Sequence, residues 1–270
     1  MANVDNSRHY EYVALLGVDG MGAFCKYANA KNINEIFKNG ATTYDCRAVY
    51  PSISAQCWGS MLLGVAPEVH GLTNQMIIEN EYDGEFPTVF KLISKEFPES
   101  HSASFCCWNP INHGIVENLP GVTKEKVGDF NIPQRVRDYF EEKGVPKFLF
   151  IHFNSIDASG HKNTYGTEPF LRDIEKIDEC IGEIWKTYSD AGIIDKTLFM
   201  VTADHGGIRT AHGGNSPEEM NVFFGAAGKT VKNSSLPKMC IQDIPAIICS
   251  AFGIEKDTSW NSNVPENLFE

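Results

Sequence analysis

The sequence predicts an α/β protein, a three-layer α/β/α sandwich around a mainly parallel central sheet. Two observations carry that expectation. Short apolar runs of strand length alternate along the chain with stretches of helical period. No Pro- or Ser-rich linker interrupts the alternation over 270 residues, so the chain reads as one unit with an ample core.

The elements follow in order. Tyr12–Val18 is a first strand, followed by a helix at Ile33–Lys38 and a second strand at Thr42–Val49. Ala55–Leu63 and Thr88–Phe97 read as helices and Ser102–Cys107 as a short strand. Pro133–Lys143 is helical, with proline at the first turn, where its missing N–H costs nothing. Lys147–Phe153 is a strong strand. Glu168–Ala191 is a long helix with Phe170, Ile174, Ile177, Ile181, Ile184 and Trp185 on one stripe. Thr197–Thr202 and Asn221–Phe224 are strands, and Ile241–Phe252 closes as a helix. The segment Asn109–Asp129 is rich in loop residues and is expected as a small excursion near the active face.

Composition narrows the function. Hydrophobic residues make up 42% and charged residues 21%, as in ordinary soluble enzymes. The formal net charge of −12 argues against a nucleic-acid-binding patch or an anionic membrane surface. Such a chain would need local positive charge to bind a phosphate, which metal ions can supply. Met1–Glu11 is polar, without the apolar stretch of a signal peptide, and no run is long enough to span a bilayer. Eight scattered cysteines without C-x-x-C spacing read as reduced thiols in a cytoplasmic protein.

Three aspartates share one structural position. Asp19 ends VALLGVDG, Asp157 follows KFLFIHFNSID and Asp204 follows TLFMVTADHGG, each just after a strand. Ligands of open α/β sheets bind at the carboxyl ends of strands, so the three can converge. Each also has a plainer reading: Asp19-Gly20 as a turn, Asp157 and Asp204 as caps. The histidines shift the balance. Asp157-Ala-Ser-Gly-His161 spaces a carboxylate and an imidazole four apart, His205 adjoins Asp204, and His212 precedes a second Gly-Gly. Mixed oxygen and imidazole ligands suit zinc, manganese or iron better than calcium. Of the other histidines, His9 lies in the polar N-terminal segment, His101 in a turn and His152 in the core of a strand. His70 shapes a loop, and His113 is a weak cleft candidate.

In Tyr50-Pro51-Ser52-Ile53-Ser54-Ala55-Gln56, Ser54 stands where a helix begins. Free N–H groups there favour an anion. An ordinary N-cap serine is the competing reading. Neither the G-x-S-x-G elbow nor the G-x-x-x-x-G-K-[ST] loop is present.

Together, GVDGMG, YPSISAQCWGSMLLGVAPEVHGLTN, IDASGH and TADHGGIRTAHGG resemble the alkaline phosphatase superfamily. Within it the chain is similar to the type I phosphodiesterase/nucleotide pyrophosphatase family, over about Val13 to Gly228. The resemblance implies an alkaline-phosphatase-like fold and two divalent metals, usually zinc. Asp19, Asp204 and His205 would hold one metal, with Ser54 as its open-position ligand. Asp157, His161 and His212 would hold the other. Ser54 falls at the family nucleophile. Asn74 resembles the asparagine whose amide contacts a phosphoryl oxygen, one residue closer to the nucleophile than in the larger members. The resemblance also implies a covalent phosphoryl-Ser54 intermediate, with Asn74 and the N–H near Ala55 donating to a phosphoryl oxygen. His212 follows Asp204 by only eight residues. A long substrate-recognition segment separates these positions in the larger members, so this is a compact version.

Residues 1–270 are thus expected as one metal-dependent phosphoesterase domain, with 1–10 and 257–270 as peripheral tails, acting on a small-molecule phosphate ester. Alternatives are a phosphomonoesterase or phosphonate hydrolase of the superfamily, or a non-catalytic metal- or phosphate-binding protein. Phe24, Tyr27, Trp58, Trp108 and Tyr165 are candidates for stacking on a leaving group, with core packing as the alternative. Arg209 is a candidate for a substrate anion, with a solvated surface role as its alternative.

Overall fold

The structure, a computed structural model, describes residues 10–270. His9 and the rest of 1–9 therefore lie outside the described residues. The strands are β1 Tyr12–Val18, β2 Ala41–Arg47, β3 Ser102–Cys106, β4 Val122–Lys126, β5 Phe148–Phe153, β6 Thr197–Thr202, β7 Asn221–Ala227 and β8 Ser234–Ser235. They form one sheet in the order β4-β3-β5-β1-β6-β7-β2-β8. Every pairing is parallel except those of β7, which runs antiparallel to β6 and to β2. The central strands β1, β5 and β6 are buried on both faces, which is why they read as unbroken apolar runs.

The helices are α1 Lys31–Phe37, α2 Ser54–Leu63, α3 Pro67–His70, α4 Asn74–Glu79, α5 Val89–Glu96 and α6 Pro110–Gly114. They continue with α7 Ile132–Lys143, α8 Ser155–Asn163, α9 Glu168–Asp190, α10 Pro217–Met220 and α11 Ile244–Phe252. Helix α9 packs with α1, α7 and α8, and α11 packs with α2 and α5. The expected stripe on α9 is buried, apart from the half-buried Trp185. The same face carries Asp178, whose carboxylate accepts the Ile33 N–H (2.7 Å) and Asn32 N–H (2.9 Å) at the start of α1. No helix among the described residues is long and apolar enough to cross a membrane.

Two expectations change. Asn109–Asp129 is not a loop excursion, because it contains α6 and the edge strand β4. All five residues of β4 keep some exposure, so its Val-Thr-Lys-Glu-Lys sequence lacks the apolar face that marks a strand. Charged side chains on an edge also discourage pairing with other chains. Residues 257–270, expected as a peripheral tail, are anchored to the body of the domain. Trp260 and Leu268 are buried, and the Trp260 Nε1–H donates to the Pro87 carbonyl (3.1 Å).

Candidate active site

The strands β5, β1 and β6 are adjacent and parallel, so their carboxyl ends open on one crevice. Asp19 directly follows β1, and Asp204 lies two residues past β6. After β5 the chain turns at once into α8, whose first turn carries Asp157 and whose last turn carries His161. The cap reading of Asp157 is answered by Asp129. Its carboxylate accepts the N–H groups of Asn154 (3.0 Å) and Ser155 (2.6 Å) at the head of α8. Asp157 is left to face the crevice. The turn after Asp19 needs Gly20. Its φ is +69°, and a Cβ there would lie 2.8 Å from the Asp157 Cα.

The loop joining β6 to the antiparallel β7 returns to the same crevice with His205 and His212. Three imidazoles show one pattern. Each Nδ1 lies 2.8 Å from a backbone carbonyl: His205 on Gly206, His212 on Ser52 and His161 on Thr210. In a neutral ring that leaves a lone pair on Nε2. Those Nε2 atoms face carboxylates. His205 Nε2 lies 3.4 Å from Asp19 Oδ1 and 3.3 Å from Asp204 Oδ2. His161 Nε2 is 3.3 Å from Asp157 Oδ2, and His212 Nε2 is 3.6 Å from Asp157 Oδ1. The rings of His205 and His212 stack at 3.9 Å between centroids.

Ser54 is the first residue of α2, with Ile53 at the cap position, and its hydroxyl makes no capping bond. The Oγ lies instead 3.4 Å from His205 Nε2. Thr73 caps α4, so Asn74 stands at that helix's start. The Asn74 Oδ1 accepts the Ala55 N–H (2.9 Å). The Ala55 N–H expected on a phosphoryl oxygen is therefore committed to Asn74, because a helix-start N–H takes the nearest side-chain acceptor. This bond assigns the amide orientation and leaves the Asn74 Nδ2 group as the donor.

Charge in the crevice is unbalanced. Burial pushes Asp204 well above the ordinary aspartate range, and repulsion from Asp19 adds to it. Burial and the Asp19 charge also raise Asp157. Asp19 goes the other way. Burial alone would raise it, but the hydrogen bond from His152, the field of His205 and the bond from Trp58 hold it low. Burial lowers His205 to about 4, so this imidazole is neutral near pH 7. Two buried carboxylate oxygens, Asp19 Oδ1 and Asp204 Oδ2, have no hydrogen-bond donor among the described residues. Oxygens of Asp19 and Asp204, the His205 Nε2 and the Ser54 hydroxyl oxygen thus face one space. That donor chemistry fits a divalent cation. Ligand atoms of Asp157, His161 and His212 also cluster within 4.8 Å of one another, as do those of Asp19, Asp157 and His205. Asp157 therefore stands between the two expected ligand sets.

The remaining candidates divide. Trp58 is fully buried and gives its Nε1–H to Asp19 Oδ2 (3.1 Å). Its ring fills the space beside Gly17, where a Cβ would lie 2.3 Å away. Tyr165 is buried, with its hydroxyl on Asp157 Oδ1. Neither is free to stack on a ligand. Phe24 and Trp108 are half-buried, and Tyr27 keeps 65% of its surface. His70 shapes its loop as expected, accepting the Leu72 N–H (3.0 Å). His101 meets the Tyr139 hydroxyl (3.0 Å), and His113 sits half-buried in α6. Arg209 is exposed at φ +55°, with its carbonyl held by the Tyr165 N–H (2.7 Å).

Sequence reasoning missed the supports of this crevice. His152, expected only as a packed core residue, places its Nε2 3.0 Å from Asp19 Oδ2. A titratable ring inside the apolar run FLFIHF was the available signal. Ser52 is the second. It ties the serine loop to the histidine loop through the Gly214 carbonyl (2.8 Å), the Gly213 N–H (3.0 Å) and the His212 imidazole (2.8 Å).

The fold and its solved neighbours define an alkaline-phosphatase-like α/β architecture. An inactive variant of murine ectonucleotide pyrophosphatase/phosphodiesterase 5, in complex with AMP, matches with a TM-score of 0.77 at 14% identity, covering 96% of this chain and 100% of that one. A putative sulfatase from Bacteroides thetaiotaomicron also matches with a TM-score of 0.77, at 12% identity over 94% of this chain and 73% of its own. A family profile described as "Type I phosphodiesterase / nucleotide pyrophosphatase" matches residues 13–249, and the chain belongs to that family. The rat ectonucleotide pyrophosphatase/phosphodiesterase family member 1 is 26% identical over 197 residues, 64% of this chain. GPI ethanolamine phosphate transferase 1 of Emericella nidulans is 38% identical over 66 residues, 24% of this chain. The chain spans 21% of the rat protein and 7% of the Emericella protein.

Proposed function

We propose that this chain is a two-metal phosphoester hydrolase of phosphodiesterase type that works through a covalent phosphoryl-Ser54 intermediate. One observation carries the proposal. The Ser54 Oγ, the His205 Nε2 and two donor-less carboxylate oxygens share one space at the carboxyl edge of the sheet. Asp19, Asp204, His205 and Ser54 would hold one ion, and Asp157, His161 and His212 the other, with zinc favoured and manganese or iron as alternatives. When bound, the ions supply positive charge that lowers the serine pKa and balances the phosphoryl oxygens.

The chain's own groups do the rest. Helix α2 holds Ser54 at its start, with the Oγ free of any capping bond. The serine oxygen attacks phosphorus and gives its proton to solvent, the ester P–O bond breaks, and the leaving oxygen takes up a proton as the alcohol departs. Asn74 Nδ2 donates to a phosphoryl oxygen, oriented by the Ala55 N–H on its Oδ1. Water then cleaves the phosphoserine ester, which releases phosphate or a phosphomonoester and restores Ser54. A murine relative's structure holds AMP, so nucleotide esters head the substrate panel. Eight free cysteines support a reducing, cytoplasmic setting.

The decisive variant is Ser54→Ala. It should bind metal as the wild type does and lose turnover by at least about 10³-fold, on the scale of other catalytic nucleophiles. Near-normal turnover would remove Ser54 from the role. A panel of nitrophenyl phosphate, bis-nitrophenyl phosphate and nitrophenyl nucleotide esters separates diester from monoester preference. Wild-type protein that binds two ions but is inert on the whole panel would favour a non-catalytic binding role.

A further inference from the structure

One buried hydroxyl points into the candidate site without belonging to either ligand set. The Tyr165 O–H donates to Asp157 Oδ1. Asp157 stands between two clusters, reaching His161 and His212 on one side and Asp19 and His205 on the other. A carboxylate so placed can serve one ion or bridge two. We propose that Tyr165 is a positioning residue that assigns Asp157 to the ion held with His161 and His212 and so keeps the two ion sites distinct. The inference rests on the two-ion reading above.

The geometry supports this in three ways. Tyr165 takes a lone pair of Oδ1 and fixes the rotation of the carboxylate, which turns Oδ2 toward His161 Nε2 at 3.3 Å. The phenol is itself anchored. The Tyr165 backbone N–H donates to the Arg209 carbonyl (2.7 Å), in the turn that also receives His161 Nδ1 at Thr210. Its ring then fills the space left by two glycines from different segments. A Cβ at Gly160 would lie 2.3 Å from the ring, and one at Gly207 would lie 2.5 Å from it. Gly160 belongs to α8, and Gly207 to the turn between His205 and His212. One side chain therefore spans both segments that supply the ligands, and its polar tip ends on the carboxylate between them. A ring placed only for packing would not need that hydroxyl.

Tyr165→Phe keeps the ring and deletes the hydroxyl. Zinc affinities of the metal-free chain are read by competition with a chromophoric chelator, and Asp157→Asn marks the titration step that depends on Asp157. The wild type should titrate in two steps. In Tyr165→Phe the Asp157-dependent step should weaken by about 10–100-fold, the usual loss when a partner of a metal ligand is removed. The other step should stay in place. Equal weakening of both steps means that the tyrosine only supports packing, and it overturns the inference. Unchanged steps overturn it as well. Wild-type protein that binds fewer than two zinc ions overturns the two-ion reading and this inference together, a result seen before any variant is compared.

Discussion

The decisive contacts at the residue scale are those that leave a single group free. Asn74 shows this. Its Oδ1 is used up by the Ala55 N–H, so only its Nδ2 can meet a substrate oxygen. Asn74→Asp keeps the acceptor for Ala55 but replaces the donor with negative charge. Its kcat on a nitrophenyl ester should fall by about 10²–10³-fold, the range for loss of one oxyanion donor, with its metal content unchanged. A kcat within error of wild type would show that Asn74 only supports α2. The sequence made some of these residues legible and hid others. Asp19, Asp157 and Asp204 were visible because each follows an apolar run. His161, His205 and His212 were visible because each sits beside an aspartate or a glycine pair. His152 and Asp129 were not visible. Each acts on a partner well over a dozen residues away in the chain, and no local pattern encodes such a contact.

At the scale of elements, the crevice depends on how loops are tied to the sheet edge. The strands flanking the site were legible because β1, β5 and β6 are buried on both faces and read as apolar runs. The short elements α3, α4, α6 and α10 were not, since a helix of four to six residues spans fewer than two turns and does not repeat its period. Helix α10 closes the loop that bears His205 and His212, and Glu219 organises it. Its carboxylate accepts the Gly214 N–H (2.7 Å), the Ser216 N–H (3.1 Å) and the Ser216 hydroxyl (2.8 Å), completing a capping box with Ser216. Burial by itself would raise the Glu219 pKa, but these bonds prevail and lower it. A carboxyl whose folded pKa is depressed adds stability above its unfolded value of about 4.3. That stability is lost as pH falls through the folded pKa. Glu219→Gln should therefore melt below wild type at neutral pH, and the gap in Tm should shrink as the solution is acidified past about pH 4.3. A gap that is constant with pH would show that the carboxylate charge contributes nothing there.

For the whole molecule, the question is how a chain of net charge −12 tolerates three carboxylates gathered at one sheet edge. Asp19 and Asp204 are essentially buried, and Asp157 is mostly so. Hydrogen bonds from His152 and Trp58 compensate Asp19 in part. Among the described residues no such hydrogen bond reaches Asp204 Oδ2. The sheet core does not depend on balancing them, because the apolar interior runs along β3, β5, β1, β6 and β7 and into the helices packed on them, while the carboxylates occupy only its rim. Removal of the ions should therefore leave the fold in place and lower its stability. A ligand that binds only the native state, at about 100 times its Kd, adds about 2.7 kcal/mol. For a domain of this size that corresponds to a rise in Tm of about 5–10 °C per ion. Protein stripped with a chelator should keep its far-ultraviolet circular dichroism and melt cooperatively at a lower temperature, and zinc should restore the difference. Ser54→Ala should show nearly the same zinc-dependent rise, since the ion keeps its three other ligands. A Tm that ignores both chelator and zinc would mean that protons, not metal ions, balance Asp157 and Asp204, and the two-ion centre would have to be abandoned.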